Sequence, residues 1–166
     1  MDLQPLIDNL LSRKWVNLHH QREMRFADFE DSGQYPGVYI LAYSDKNLNR
    51  QPVDMHDVFY VGMSNSRSGV KQRLKQFLDG IEHNRLHSAA MRFFKEYANR
   101  TPWSEFSKKN GDKRFYVASV TVRCEVEKAK RTAEDLRKMG DVAALEYYVL
   151  AHLRGNLGVE PELNDK

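Results

Sequence analysis

Apolar positions fall into blocks whose spacing changes along the chain, and the changes outline a fold. Leu3, Leu6, Ile7, Leu10 and Leu11 recur at i, i+3, i+4, i+7 and i+8 with Pro5 near the first turn, so the chain opens with an amphipathic helix. Residues from Trp15 to Gln34 are mixed, with Arg25-Phe26-Ala27-Asp28-Phe29 as a candidate short element. Pro36-Gly37 then punctuates the start of a β-type run, Val38 to Tyr43. A polar connection from Ser44 to Asp57 leads to a second β-type run, Val58 to Gly62, and the two predict an antiparallel pair.

Gly62 to Gly69 is rich in Gly and Ser and reads as a loop. Leu74, Phe77, Leu78 and Ile81 mark one face of a following helix, and Leu86, Ala90, Phe93, Phe94 and Tyr97 mark another. Thr101-Pro102-Trp103 and Lys108 to Asp112 bracket a loop-like insertion before a third strand candidate, Arg114 to Val122. A charged helical stretch, Glu127 to Lys138, leads through Gly140 to a last helix, Val142 to Leu153, and an irregular tail, Glu160 to Asn164. This order predicts an α+β fold with a small central antiparallel sheet of about three strands flanked by helices. Residues 1–34 would form a helical extension packed on the core, and residues 35–166 the main domain, the whole being one compact unit.

Composition narrows the class. The 166 residues are 41% hydrophobic and 30% charged, the balance of a globular rather than a disordered chain. A net charge of +3 permits a polyanionic partner without demanding one. The excess is concentrated between Arg67 and Arg114, where Lys71, Arg73, Lys75, Arg85, Arg92, Lys95, Arg100, Lys108, Lys109 and Lys113 outnumber Asp79, Glu82, Glu96, Glu105 and Asp112. Solvated helix faces account for many such patterns as well. Cys124 is the only cysteine, which excludes an intramolecular disulfide and a cysteine zinc finger. The apolar runs are shorter than a membrane span, and Met1 to Pro5 lacks the features of a signal peptide, so a cytoplasmic protein is expected.

Six residues stand out chemically. Glu146 shares a helix face with Val142, Leu145, Val149, Leu150 and Leu153, so its carboxylate points toward the core. There it must be paired with an arginine, hydrogen-bonded or bound to metal, and Mg²⁺, which takes only one or two protein carboxylates, suits a lone glutamate. Arg73 and Lys71 fall in the expected first turn of their helix, where the macrodipole disfavours cations and a phosphate would reverse the penalty. His87 near the next helix start reads as a capping or half-buried residue as readily as a catalyst. Tyr39 and Tyr60 lie on strands, where packing is the ordinary role of a tyrosine.

Taken together these residues match a pattern. Gly37-Val38-Tyr39 and Tyr60-Val61-Gly62, separated by residues 40–59, resemble the two half-motifs of the GIY-YIG endonuclease superfamily, with Val at both variable positions. Pro36 before the first half-motif, Arg73 in Gly69 to Phe77, His87 in Leu86 to Phe94, Glu146 in an apolar helix and Pro161-Glu162-Leu163-Asn164 are similar to further family elements in the family's order. Met63, the long segment before Glu146, the long Thr101 to Asp112 loop and the N-terminal helix depart from the commoner pattern.

The resemblance implies a divalent-metal-dependent endonuclease that hydrolyses phosphodiester bonds in nucleic acid, DNA above all, as a mobile-element or phage, restriction-like, repair or defence enzyme. It implies Glu146 as the ligand of Mg²⁺ (or Mn²⁺), and Tyr39 as the group that positions or deprotonates the attacking water. Tyr60 would hold that water or a phosphate oxygen, Arg73 would stabilise transition-state charge, and His87 would move a proton or bind phosphate. Lys71, Gly62 and Asn164 would fall on the substrate side, Asn164 as a brace. A non-catalytic nucleic-acid-binding module of the same fold is the alternative, and monomer and homodimer are both open.

Overall fold

A computed structural model describes residues 2–23, 33–83 and 87–164. Its elements in chain order are α1 (Gln4–Leu11), β1 (Val16–Asn17), α2 (Leu18–Glu23), β2 (Gly37–Ser44), β3 (Val58–Ser64), α3 (Gly69–His83), α4 (Ser88–Glu96), α5 (Trp103–Lys109), β4 (Arg114–Thr121) and α6 (Ala133–Leu157). A single 3₁₀ turn, Met55–Asp57, precedes β3. The architecture is α+β, and the four strands pair antiparallel in the order β1-β4-β2-β3.

Helices cover both faces of the sheet. On one face Tyr39, Leu41, Tyr60, Phe115 and Val117 pack with Leu74, Phe77, Leu78 and Ile81 of α3 and Phe93 of α4. On the other, Val38, Ile40, Val61, Tyr116 and Ala118 pack with Ile7 and Leu10 of α1 and Leu145, Val149 and Leu153 of α6. Double coverage explains why Val38 to Ala42 is a continuous apolar run: every one of these side chains is buried, whichever way it points.

Four expectations change. The sheet has a fourth strand, β1, two residues long and paired Val16 to Val117 and Asn17 to Tyr116, too short for any periodicity to announce it. The Thr101 to Asp112 insertion contains α5, which anchors its roughly two turns by burying Phe106 in the aromatic cluster around Phe93 and Phe115. Gly140 does not divide the C-terminal region: α6 runs unbroken from a capping box between Thr132 and Asp135 to Gly158, whose φ of 78° closes it. One exposed glycine costs a helix about 1 kcal/mol, less than the buried stripe from Val142 to Leu153 returns. The strand begun at Val58 reaches Ser64, so the loop before α3 is confined to residues 65–68. The candidate element at Arg25–Phe29, together with Leu86 and Arg85, lies outside the described residues.

A bulge in β3 aims the site. Leu41 pairs with Tyr60 and Ala42 with Val58, so Phe59 is an extra residue. Phe59 and Tyr60 therefore both face α3 and α4. Among the described residues no helix is long and apolar enough to cross a membrane.

Candidate functional site

Tyr39 and Gly62 are direct partners across β2 and β3, and Tyr60 stands two residues along the same face. A methyl group on Gly62 would lie 2.6 Å from Cζ and Oη of Tyr39 and 2.7 Å from Cε1 of Tyr60. Real side chains do not approach so closely, so the absent Cβ is what lets the two rings converge, their centroids 6.1 Å apart. Gly37 serves a backbone instead: a Cβ there would meet the Val120 carbonyl oxygen of β4 at 2.2 Å. Neither glycine is needed for a left-handed turn.

The Tyr39 side chain is wholly buried, and its hydroxyl makes no hydrogen bond of regular geometry, although the Arg73 side chain acts on it as a donor. Burial, then the neighbouring Tyr60, pushes its pKa far above the usual phenol range; the Arg73 cation opposes this and the Glu146 carboxylate adds to it. Three neighbouring groups thus act on one oxygen. Glu146 is 7% exposed and belongs to the sheet-facing stripe of α6, the orientation its spacing predicts.

Arg73 borders an open groove of about 500 Å³ together with Ser64, Asn65, Ser66, Gln72 and Gln76. Because α3 starts at Gly69, Arg73 belongs to the second turn rather than the first. Gly69 has a φ of 66°, and the amides of Val70 and Lys71 donate to the carbonyls of Tyr35 (3.2 Å) and Gly33 (2.8 Å). Those amides are already satisfied, so an anion beside α3 would be bound by side chains and not by the helix terminus. Lys71 lies outside the lining of the groove.

His87 is the N-cap of α4. Its Nδ1 accepts from the Ala90 amide at 3.3 Å, which places the ring proton on Nε2. That Nε2 is buried without a partner, and the ring stands edge-on to Phe77 at 5.6 Å. Burial first, and the Arg73 charge second, push the His87 pKa down to about 4. At neutral pH His87 is therefore an uncharged donor, suited to an oxygen acceptor and not to general-base work.

Asn164 closes the far edge. Its Oδ1 accepts from the Val61 amide and its Nδ2 donates to the Val61 carbonyl, both at 2.8 Å. The side chain mimics one residue of a neighbouring strand on the exposed edge of β3. Leu163 extends the strap by donating to the Phe59 carbonyl at 3.0 Å, and Arg92 holds it by donating to the Leu163 carbonyl. With both ends of its amide occupied, Asn164 fixes Tyr60 and Gly62 through the backbone.

Sequence reasoning passes over Asn65, whose Nδ2 donates to the Met139 carbonyl of α6 at 3.0 Å and ties the groove loop to the helix bearing Glu146. The Ser/Asn character of the loop is its only signal. Among the described residues no three His, Cys, Asp or Glu side chains cluster as a metal cage. One buried carboxylate, close enough to Tyr39 to act on its phenol, is an oxygen ligand that fits Mg²⁺ or Mn²⁺ keeping most of its waters, and does not make a structural zinc site. No family model, curated protein or solved structure matches the chain.

Proposed function

We propose that this chain is a divalent-metal-dependent phosphodiesterase, a nuclease of the GIY-YIG type acting on nucleic acid and on DNA in particular. The observation that carries the reading is the buried Tyr39 hydroxyl, on which Tyr60, the Arg73 cation and the Glu146 carboxylate all act. The Tyr43 hydroxyl is also buried without a partner; what sets Tyr39 apart is that a cation and a carboxylate act on it together, an arrangement enriched at functional sites.

In this reading Glu146 holds the metal. Bound there, Mg²⁺ or Mn²⁺ would supply Lewis-acid polarisation of the scissile phosphate and positive charge that lowers neighbouring pKa values. Tyr39 stays a phenol at neutral pH, since burial outweighs Arg73, and it orients the attacking water by accepting from it or donates to a phosphate oxygen. Tyr60 holds the same water or a second oxygen. Arg73, at the rim of the groove, neutralises charge as the transition state forms, and His87 Nε2–H donates to a phosphate oxygen.

Supercoiled plasmid provides the test. The wild-type chain with Mg²⁺ should nick or linearise it, and Glu146→Ala or excess EDTA should abolish the cutting. A wild type inert on plasmid but active on single-stranded, branched or RNA substrates changes only the target. If it binds all of these and cuts none, a non-catalytic nucleic-acid-binding module replaces the enzyme.

A further inference from the structure

The groove of about 500 Å³ beside Arg73 has two walls. The end of β3 and the loop after it, with Ser64, Asn65 and Ser66, form one; Gln72, Arg73 and Gln76 of α3 form the other. From these walls we infer a binding site for a nucleobase, the one next to the phosphate that Arg73 takes, with Gln72 and Gln76 reading its edge. Such a site rests on nucleic acid being the substrate, and adds which part of the strand the groove holds.

Helical spacing sets the second wall. α3 buries Val70, Leu74, Phe77, Leu78 and Ile81, which turns Gln72 and Gln76 away from the core, the first half-buried and the second exposed. Gln76 is four residues from Gln72 and three from Arg73, so it neighbours both, with Cβ atoms about 5–6 Å apart. Lys71 belongs to the other flank of the helix and is not part of the wall. The loop wall is held in place by its own bonds: the Ser64 and Ser66 hydroxyls are 3.0 Å apart, and Asn65 Nδ2 donates to the Met139 carbonyl.

The chemistry of the two groups on α3 differs. A guanidinium has donors alone and suits a phosphate, which has acceptors alone. A primary amide sets an acceptor beside a donor in one plane. Against a phosphate only its donor half is useful, and its carbonyl oxygen faces like charge. A base edge carries donors and acceptors side by side, and glutamine meets the N6 amino group and N7 of adenine with both halves at once. Arg73 therefore positions the strand through its backbone while the two amides select the base. A volume of about 500 Å³ is in the range of small-ligand sites and admits a base with its sugar.

The side-chain amide signals of Gln72 and Gln76 in a ¹⁵N-labelled full chain report on the site, and Gln72→Ala and Gln76→Ala assign them. In EDTA, where no cutting intrudes, the chain would be titrated with single-stranded tetranucleotides of adenine, cytosine, guanine or thymine, and with an abasic tetranucleotide of the same charge. Both signals should shift and saturate with the adenine strand, at a Kd at least about fivefold below that of the abasic strand. The double variant should bind these two strands alike. Alanine is the better helix former and both glutamines face away from the core, so the variant keeps its fold, which its backbone amide spectrum checks. Amide signals that the adenine strand leaves in place, an abasic strand bound as tightly as the adenine one, or a preference that survives in the double variant overturns the inference. Plasmid nicking with Mg²⁺ is scored separately. A chain that nicks while binding adenine and abasic strands alike loses this site alone, and one that shows the preference but never nicks keeps the site and loses the enzyme.

Discussion

Tyr39→Phe removes one oxygen and leaves the ring in place. That oxygen is buried and makes no hydrogen bond of regular geometry. A hydroxyl stripped of water without a replacement costs about 1–3 kcal/mol, so its removal should stabilise the fold. The attraction of Arg73 offsets part of the gain. The net is about +1 kcal/mol, which for a domain of this size raises the melting temperature by roughly 2–4 °C.

Tyr43→Phe is the matched control. Its hydroxyl is likewise buried without a partner, but its ring sits among Phe59, Phe93 and Phe115 at centroid distances of 5.7, 5.1 and 4.8 Å. Both variants should melt at or above the wild-type temperature in EDTA. In the nicking assay with Mg²⁺ they should part company. Tyr39→Phe should lose about 10²-fold or more, the usual weight of a group that orients the nucleophile or moves its proton, while Tyr43→Phe keeps wild-type activity. A Tyr39→Phe protein melting several degrees lower would show that the hydroxyl is bonded in the fold. One that nicks normally would remove Tyr39 from the chemistry. Gain of stability with loss of function is the combination expected of a strained functional group.

Three further outcomes follow from the same geometry. Gly62→Ala should destabilise by about 1–3 kcal/mol through overpacking, and by less in a Tyr39→Phe background, where the oxygen 2.6 Å from the new methyl is gone; additive melting data would refute that contact. Asn164→Asp keeps the acceptor for the Val61 amide but opposes the Val61 carbonyl with a second oxygen, so it should cost about 1–3 kcal/mol and reduce cleavage with it, and an unchanged protein would show that the strap is idle. His87 is held near pKa 4 when folded against 6.5 ordinarily, so the unfolded chain takes the proton first. Its contribution is complete above pH 6.5 and declines as pH falls toward 4, by about 3 kcal/mol; His87→Asn, which preserves a capping oxygen, should flatten melting temperature against pH over that window, and parallel curves would contradict the burial of the ring.

The elements whose side chains obey one local rule were readable along the chain. α1 shows its stripe at helical spacing, and β2, β3 and β4 stand out as apolar, β-branched runs between polar breaks, because burial imposes those periods on any sequence. Glu146 was legible as an inward carboxylate for the same reason: helical spacing fixes direction before any partner is known. Elements that borrow their stability were not. β1 is a strand only because β4 lies beside it, and α5 is a helix only because Phe106 finds the aromatic cluster. The start of α6 is set by the Thr132–Asp135 capping box, which the hydropathy pattern does not register, and the helix passes Gly140 because the buried stripe beyond it outweighs the cost of one glycine.

At the candidate site the division is sharper. The chain alone supplied the residue types and their order, Tyr39, Tyr60, Gly62, Arg73, His87, Glu146 and Asn164, because chemistry is carried by side chains and side chains are written in sequence. Tertiary structure decided what each does. It set Gly62 under two rings, satisfied the first amides of α3 with Gly33 and Tyr35, neutralised His87 by burial, and turned the Asn164 amide onto Val61. These are outcomes of burial and distance between residues far apart in the chain, quantities that no local period encodes.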